Sequence, residues 1–262
     1  MDKKIVAVVA AVIVVAAAGI GAFALLGNNG GDKDNNYTFT KAGEELIGGT
    51  FDSIIIDASV GDGEVLLKNV KILKDLIVRG GGSHSIKLTG CELKGTVSVE
   101  KVSGEAPRIL AEGTHIASII ANSDVILEAS KDSSFADVVS EGKTVTVQGN
   151  ETKVGKISIT DGILAMKDSS VITSLIAKST EGNNVKISLG ENSTIDSASI
   201  DGSLSVDGKG DISKVEVNNG SLKVGGDAKV REVEVNGNVA LDLAEDSTEQ
   251  VSISNPILPL NV

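Results

Sequence analysis

The sequence predicts an all-β fold: a single-stranded parallel β-helix (β-solenoid), right-handed, with about eleven coils of 17–23 residues over positions 50–254. Three observations predict it: apolar pairs recur along the chain, Gly-rich turns separate them, and the 30 Gly contrast with only 2% aromatic residues. A core with so few aromatic side chains must be built from Val, Ile, Leu and Ala. Such residues suit a narrow interior made of repeated layers.

The first strand of each coil opens on an apolar residue, and another small or apolar residue follows two positions later in every coil. This alternation is typical of a strand with one buried face. The opening residues are Ile54, Leu76, Val97, Ile119, Val138, Ile157, Leu175, Ala198, Val215, Val233 and Val251.

A second alternating strand follows the first in each coil. Its predicted inward pairs are Val65/Leu67, Ile86/Leu88, Ile109/Ala111, Val125/Leu127, Val145/Val147, Ile163/Ala165, Val185/Ile187, Leu204/Val206, Leu222/Val224 and Val239/Leu241. Each coil therefore contributes two alternating strands to the interior.

A third inward position falls three residues before each first strand. It is apolar in nine of the eleven coils, at Phe51, Leu73, Ile116, Phe135, Val154, Ile172, Ile195, Ile212 and Val230. With 41% apolar residues in the chain, only about four or five would be expected by chance, so the pattern indicates a third wall.

Two other repeat architectures fit less well. A left-handed hexapeptide helix places an inward residue at every sixth position, whereas the spacing from Ile212 to Val230 is 3, 2, 5, 2 and 6. Helical repeats show a 3.6-residue period instead. Coils of this size bury their apolar faces only by stacking at about 4.8 Å, so stability should accumulate between neighbouring coils.

The N-terminus predicts entry into a membrane. Residues 5–26 are uncharged and would span about 33 Å as a helix, and Lys3 and Lys4 precede them. Their length favours a retained anchor, although Ala22-Phe23-Ala24 resembles a signal-peptide cleavage site. The positive-inside bias then predicts that the rest of the chain lies outside the cell, after a flexible linker at 27–36.

Both ends of the β-helix need protection because unpaired strand edges invite association. We expect residues 37–49 to cap the first coil and residues 255–262 to cap the last, since Pro256 and Pro259 cannot donate to a further strand. Asn-x-Ser/Thr triplets offer possible glycosylation sites at Asn36, Asn150, Asn192 and Asn219.

Charge and cysteine content exclude some classes of protein. A formal charge of −12 disfavours nucleic acid as a partner, because phosphate binding needs clustered positive charge. The single cysteine, Cys91, allows no intramolecular disulfide. It is expected to be an inert thiol in a turn or in the core, with an intermolecular bridge as the alternative.

The residues predict no catalytic set, no metal site and no cofactor. Parallel β-helices that cleave polysaccharides use carboxylates in a groove walled by long loops, and the turns here are only about three to nine residues long. His84 and His115 fall in different turns without ligand partners at metal spacing. Acidic corners such as 207–211 lack a repeated ligand register and are expected to be solvated.

One edge is a candidate contact surface. The longest turns between first and second strands fall in the first three coils, at 57–64, 79–85 and 100–108. Stacking would place five residues of these turns within about 10 Å of one another: Asp62, Arg79, His84, Glu105 and Arg108. We predict that these residues bind an acidic glycan or a partner protein; ordinary solvated corners are the alternative.

Coils such as 211–224 (DISKVEVNNGSLKV) resemble the β-helical repeats of adhesin-like and surface-layer-associated cell-surface proteins of archaea and bacteria. The resemblance covers roughly residues 50–255 and implies display on the cell envelope and contact with cells, matrix or glycans. It implies no binding residues. Bactofilin polymers are a weaker match, because their frequent G-x-V/I-x-G spacing is absent here.

The sequence thus predicts an extracellular, membrane-anchored structural or adhesive protein without catalytic activity. The alternative is a carbohydrate-binding or polysaccharide-degrading β-helix similar to pectate lyases. A carboxylate pair beside a groove would favour the alternative, and short smooth corners would favour the structural role.

Overall fold

The computed structural model describes residues 35–84, 86–130, 132–150 and 152–253 as one parallel β-solenoid. Its strands are β1 (Tyr37–Phe39), β2 (Glu44–Ile47), β3 (Thr50–Phe51), β4 (Ile54–Ile56), β5 (Val65–Lys68), β6 (Lys71–Ile72), β7 (Leu76–Val78), β8 (Ile86–Thr89), β9 (Glu92–Leu93), β10 (Thr96–Val99), β11 (Arg108–Glu112), β12 (His115–Ala121), β13 (Val125–Ser130), β14 (Ser134–Glu141), β15 (Thr144–Gln148), β16 (Lys153–Thr160), β17 (Ile163–Met166), β18 (Val171–Lys178), β19 (Val185–Leu189), β20 (Thr194–Gly208), β21 (Asp211–Val224), β22 (Lys229–Val235), β23 (Val239–Leu243) and β24 (Thr248–Ile253). The one short 3-10 helix among these residues, η1, spans Ala58–Val60.

The first strands stack into one wall, which confirms the predicted repeat of about eleven coils. Each predicted opening residue pairs in parallel with its counterpart in the next coil, from the Ile54–Leu76 pair to the Val233–Val251 pair. The interior side chains along this wall are β-branched or leucine in most coils and almost fully buried. Rows of such side chains, one above another, form the core.

The second wall follows the predicted alternation with three exceptions. In β23, Leu241 pairs with Leu222 and Leu243 with Val224, so the predicted pair Val239/Leu241 begins two residues too early. In β11, Ile109 pairs with Leu127 rather than with Val125, because the ladder runs two residues further into β13. In β17 the predicted inward pair Ile163/Ala165 is wrong: Leu164 pairs with the buried residues of the neighbouring coils, and Ile163 is 41% exposed. All four residues of β17 are apolar, so alternation alone did not identify its inward face.

The third wall is more complete than predicted. Ile72, not Leu73, pairs with Phe51 and is fully buried, whereas Leu73 is 43% exposed. Leu93 occupies the same row in the next coil and pairs with Ile72. In these two coils the corner before the first strand is one residue longer than elsewhere, so counting back three positions from the first strand selects the wrong residue.

Small polar side chains line one interior corner, between the second and third walls. The buried residues there are Cys91, Thr114, Ser133, Thr152, Ser170 and Ser193. The Thr114 hydroxyl accepts a bond from the Cys91 N–H at 3.0 Å, and the Ser133 hydroxyl accepts one from the Thr114 N–H at 3.1 Å. Except for Ser170, whose hydroxyl has no hydrogen-bond partner, these side chains satisfy backbone groups where the chain turns. Cys91 is confirmed as a buried thiol within their row.

The layer at the N-terminal end of the solenoid holds most of the described aromatic side chains. Tyr37 lies edge-on to Phe39 at 5.0 Å between ring centroids and to Phe51 at 5.8 Å. Strands β1 and β2 pair with β4 and β5, so residues 37–49 extend the ladder by one layer. Large rings at this end fill the interior beyond which the described residues add no further coil. Whether this layer serves as a cap stays a prediction.

The last described coil exposes apolar residues that lie in the inward rows of the coils before it. Leu241 is 38% exposed, Val251 46% and Ile253 63%. The predicted C-terminal cap, 255–262, lies outside the described residues.

Candidate functional site

The three long turns predicted as a contact surface stack on one another; we call them the long-corner edge (57–64, 79–84 and 100–108). In the first turn Asp57 caps η1, with its carboxylate accepting the Ser59 N–H at 2.9 Å. The Gly81 N–H donates to the Gly61 carbonyl at 2.8 Å, which joins the second turn to the first. The turns therefore form a bonded stack rather than separate loops.

Lys101 lies at the centre of this stack and was not among the predicted residues. Its side chain is only 6% exposed, and its ammonium donates to Asp62 Oδ1, to the Gly81 carbonyl at 2.5 Å and to the Glu105 carbonyl at 2.8 Å. An ammonium group has three donors, so all are used. These bonds tie together one residue from each of the three turns.

Asp62 is the carboxylate partner of Lys101. Its Oδ1 also accepts the Glu105 N–H at 3.0 Å. Hydrogen bonds from Lys101 and from the Glu105 N–H both favour the ionised carboxylate and hold the pKa of Asp62 below its ordinary value. Gly104, with φ +94°, packs against this carboxylate so closely that a Cβ would collide with it. Only glycine suits that position.

Glu105 is held in place by Ser83 of the second turn. Its Oε2 accepts both the Ser83 hydroxyl, at 2.5 Å, and the Ser83 N–H, at 3.3 Å. These two bonds hold the pKa of Glu105 below its ordinary value, although the neighbouring charge of Asp62 acts in the opposite direction. Asp62 and Glu105 therefore both remain ionised near neutral pH.

The two predicted arginines are paired within the solenoid. Arg79 Nε donates to Glu100 Oε2 at 3.2 Å. Arg108 donates to Glu128 at 3.1 Å and to the His84 carbonyl. The structure therefore joins Asp62 with Glu105 and His84 with Arg108, while Arg79 turns toward Glu100.

The long-corner edge carries no positive excess. Three cationic side chains, Arg79, Lys101 and Arg108, face five carboxylates in its turns. An acidic ligand would have to displace existing ion pairs and overcome a net negative field. Sequence reasoning missed Ser83, Lys101 and the carboxylate Glu128. Each of them is a hydrogen-bond or ion-pair partner of a predicted residue. Lys101 is the only lysine in the three turns, which is the one sequence feature that could have singled it out.

Neither histidine has a ligand set around it. His84 is engaged through its backbone, and His115 Nδ1 lies 2.9 Å from the Ser134 hydroxyl. Across the described ranges, no group of three His, Cys, Asp or Glu side chains is placed to hold a metal ion. A shallow depression near the other end is lined by polar and charged side chains, among them Glu191, Lys209 and Asp227, and by no aromatic ring.

The four predicted glycosylation asparagines all lie at exposed positions: Asn36, Asn150, Asn192 and Asn219. The Asn-x-Ser/Thr triplets to which they belong differ in accessibility. Thr152, the third residue of the Asn150 triplet, is fully buried, and its hydroxyl bonds the Gln148 carbonyl at 2.6 Å. The Asn150 triplet is thus the least accessible of the four in the folded chain.

The predicted membrane segment, residues 5–26, lies outside the described residues. Within the part of the chain that the structure describes, no helix combines the length and the apolar character needed to cross a bilayer. Comparison with protein-family models, with curated proteins and with solved structures returns no match.

Proposed function

We propose that this chain is an extracellular, membrane-anchored structural or adhesive β-solenoid of the cell surface, similar in role to adhesin-like and surface-layer-associated proteins. The observation that carries the proposal is the internal use of the long-corner edge. Lys101, Arg79 and Arg108 all bond oxygens of the chain itself. Groups committed to holding coils together support a mechanical rather than a catalytic role.

The anchor is the second part of the proposal. Residues 5–26 would be retained as a membrane helix, with Lys3 and Lys4 in the cytoplasm and the solenoid outside. The acidic surface, at −12 overall, keeps an exposed protein soluble and limits its adsorption to anionic lipid. Right-handed winding belongs to the proposal too, since crossover connections between parallel strands are right-handed in nearly all proteins.

Protease shaving of intact cells tests this proposal. We expect external protease to release fragments of 35–253 while Lys3 and Lys4 remain cell-associated, and we expect the intact mass of the full chain in membranes to include residues 1–26. Full protection of the solenoid in intact cells, with cleavage only after lysis, would contradict surface display. A measured mass that corresponds to a chain beginning near residue 25 would show that residues 5–26 belong to a cleaved signal peptide and not to a retained anchor.

A carbohydrate-binding or polysaccharide-degrading role has one observation in its favour, the adjacent carboxylates of Asp62 and Glu105. General acid catalysis needs a carboxyl with a raised pKa, whereas the pKa of each of these groups is lowered by its hydrogen bonds. A glycan array probed with the shaved ectodomain distinguishes the two roles: binding lost in Asp62→Asn would favour the carbohydrate role.

A further inference from the structure

The outward face of the first wall carries a row of uncharged, mostly aliphatic side chains. We call it the outer row, and it consists of Ile55, Ile77, Ser98, Ile120, Val139, Ser158 and Ile176. Each pairs in register with the next coil, so the side chains stand directly above one another. None is charged, in a chain with 23% charged residues.

The outer row is accessible and sharply bounded. Val139 is 45% exposed and the isoleucines are partly exposed. Beyond Ser199 the same row continues with Glu216 and Glu234, so the apolar part covers seven coils only. A row of mostly aliphatic side chains, interrupted only by Ser98 and Ser158, on the outside of an acidic protein indicates a surface that another body covers.

We propose that the outer row binds the outer row of a second copy of this chain, antiparallel, about a two-fold axis that passes by Ile120. A two-fold axis along the strand direction reverses the order of coils and keeps the direction of strands. Ile55 then faces Ile176 of the other copy, and Ser98 faces Val139. Ile120 faces itself.

Charge complementarity supports this arrangement. Beside the outer row, Asp57 and Asp75 lie in the first two coils, and Lys156 and Lys178 lie in the last two. The reversed order places Asp57 opposite Lys178 and Asp75 opposite Lys156, each twice by symmetry. Lys156 already bonds Asp137 of its own chain at 3.1 Å, so the Asp57–Lys178 pair is the stronger support. The hydrogen bond from the Ser59 N–H holds the pKa of Asp57 below its ordinary value, so this carboxylate is ionised at neutral pH.

The parallel alternative fits the charges less well. A two-fold axis along the stacking direction would place Asp137 opposite Glu141 of the same coil, with only Asp75 and Arg79 attracting each other. The antiparallel pair also brings two acids together, Glu100 and Glu141. However, Glu100 already bonds Arg79 of its own chain at 3.2 Å, which reduces its repulsion from Glu141.

The size of the surface predicts a weak pair. Seven coils at about 4.8 Å and a strand width of about five residues give roughly 500 Å² per copy, at the low end of specific interfaces. Antiparallel pairing places the N-terminal coils of the two copies at opposite ends. This consequence rests on the proposed function: with residues 5–26 anchored, the two copies belong to facing membranes, and many weak pairs would join them.

Cysteine cross-linking in the full chain, in a Cys91→Ser background with a short bis-maleimide, tests the pairing. We expect Ile120→Cys to form cross-linked dimers by itself. Ile55→Cys and Ile176→Cys should link to each other when the two chains are mixed, and neither should link to itself. Glu216→Cys, in the same row but outside the apolar part, is the matched control and should stay monomeric.

Other cross-linking outcomes overturn the proposal. Self-linking of both Ile55→Cys and Ile176→Cys would show parallel pairing. Ile120→Cys that stays monomeric and reacts freely with a maleimide would show that nothing covers the row. Protection of Ile120→Cys in membranes without a dimer would assign the row to lipid or to another protein.

Charge reversal gives a second test that does not alter the outer row. Lys178→Glu should weaken self-association of the detergent-solubilised full chain by about three- to tenfold, because an acid then faces Asp57 twice. Adding Asp57→Asn, which can still cap η1, should recover part of the loss. Lys186→Glu, the same charge change on the second wall, is the control, and equal weakening by both lysine variants would contradict the assigned face.

Vesicles separate this inference from the proposed anchor. The full chain reconstituted into vesicles should cluster them, and Ile120→Glu should abolish clustering. Cross-linked dimers without clustering would leave the pairing intact and contradict the facing-membrane arrangement, and with it the proposed anchor.

Discussion

The ammonium of Lys101 bonds the carboxylate of Asp62, which lies 39 positions earlier in the chain. The bond joins the third coil to the first across the second, whose Gly81 carbonyl accepts from the same ammonium at 2.5 Å. Most contacts in a solenoid link neighbouring coils only. This one couples three coils, so the long-corner edge should unfold as a unit.

The two partners of this bond should contribute unequally to stability. Lys101→Met should lower the free energy of unfolding by about 1–2 kcal/mol, because the carbonyls of Gly81 and Glu105 lose a donor. Asp62→Ala should lower it further, because it leaves a buried ammonium without its counter-charge. Urea unfolding of the full chain measures both, with Lys186→Met as an exposed control; a larger loss in Lys101→Met would contradict this order.

Stability should also depend on pH through this edge. The pKa values of Asp62 and Glu105 are lowered in the folded chain from ordinary values of 3.8 and 4.5. A lowered pKa contributes stability that is fully present above the unfolded value and is lost as pH falls through the folded value. The free energy of unfolding should therefore decline below about pH 5.

Two variants check the cause of that decline. Glu105→Gln removes one of the carboxylates, and Ser83→Ala removes the hydroxyl that bonds it at 2.5 Å. Each should flatten the dependence of the unfolding free energy on pH between about 3 and 5. Unchanged slopes in both variants would assign the acid sensitivity to other carboxylates.

Cys91 should be unreactive in the folded chain. It is 6% exposed, and burial raises the pKa of its thiol, so little thiolate forms. A maleimide should label it slowly in buffer and fully in denaturant. Cys91→Ser should cost no more than about 1 kcal/mol, because the neighbouring positions Thr114 and Ser133 already place hydroxyls in this row. Fast native labelling would contradict the buried placement.

Neighbouring residues should report the register of the third wall. Ile72→Ala should lower the free energy of unfolding by about 2–4 kcal/mol, as expected for a fully buried aliphatic side chain. Leu73→Ala, one position later and 43% exposed, should cost about 1 kcal/mol or less. Equal losses in chemical denaturation would place both side chains in the interior.

The repeat was predictable because burial leaves a strong pattern in sequence. Along the first wall every predicted opening residue pairs with its counterpart, since each is an inward residue of a strand with one buried face. The pattern fails where corners differ in length. At Leu73 an extra residue shifts the register, and at Ile163 four consecutive apolar residues hide which face is inward.

The candidate site was predictable in position but not in bonding. Long turns in successive coils had to stack, and the structure brings Asp62 and Glu105 together. Sequence alone does not show that Lys101 turns inward, because its burial depends on carbonyl oxygens of two different turns. Whether the edge binds a partner stays a prediction, as do the membrane segment and the two caps.

The register of the interior rows is kept through corners of different lengths, so a genetic duplication or deletion of one whole coil would leave the remaining layers matched. Each such event would change the length of the solenoid by about 4.8 Å. Lineages could in this way adjust the length of the solenoid in small fixed increments, without redesigning any residue of the interior.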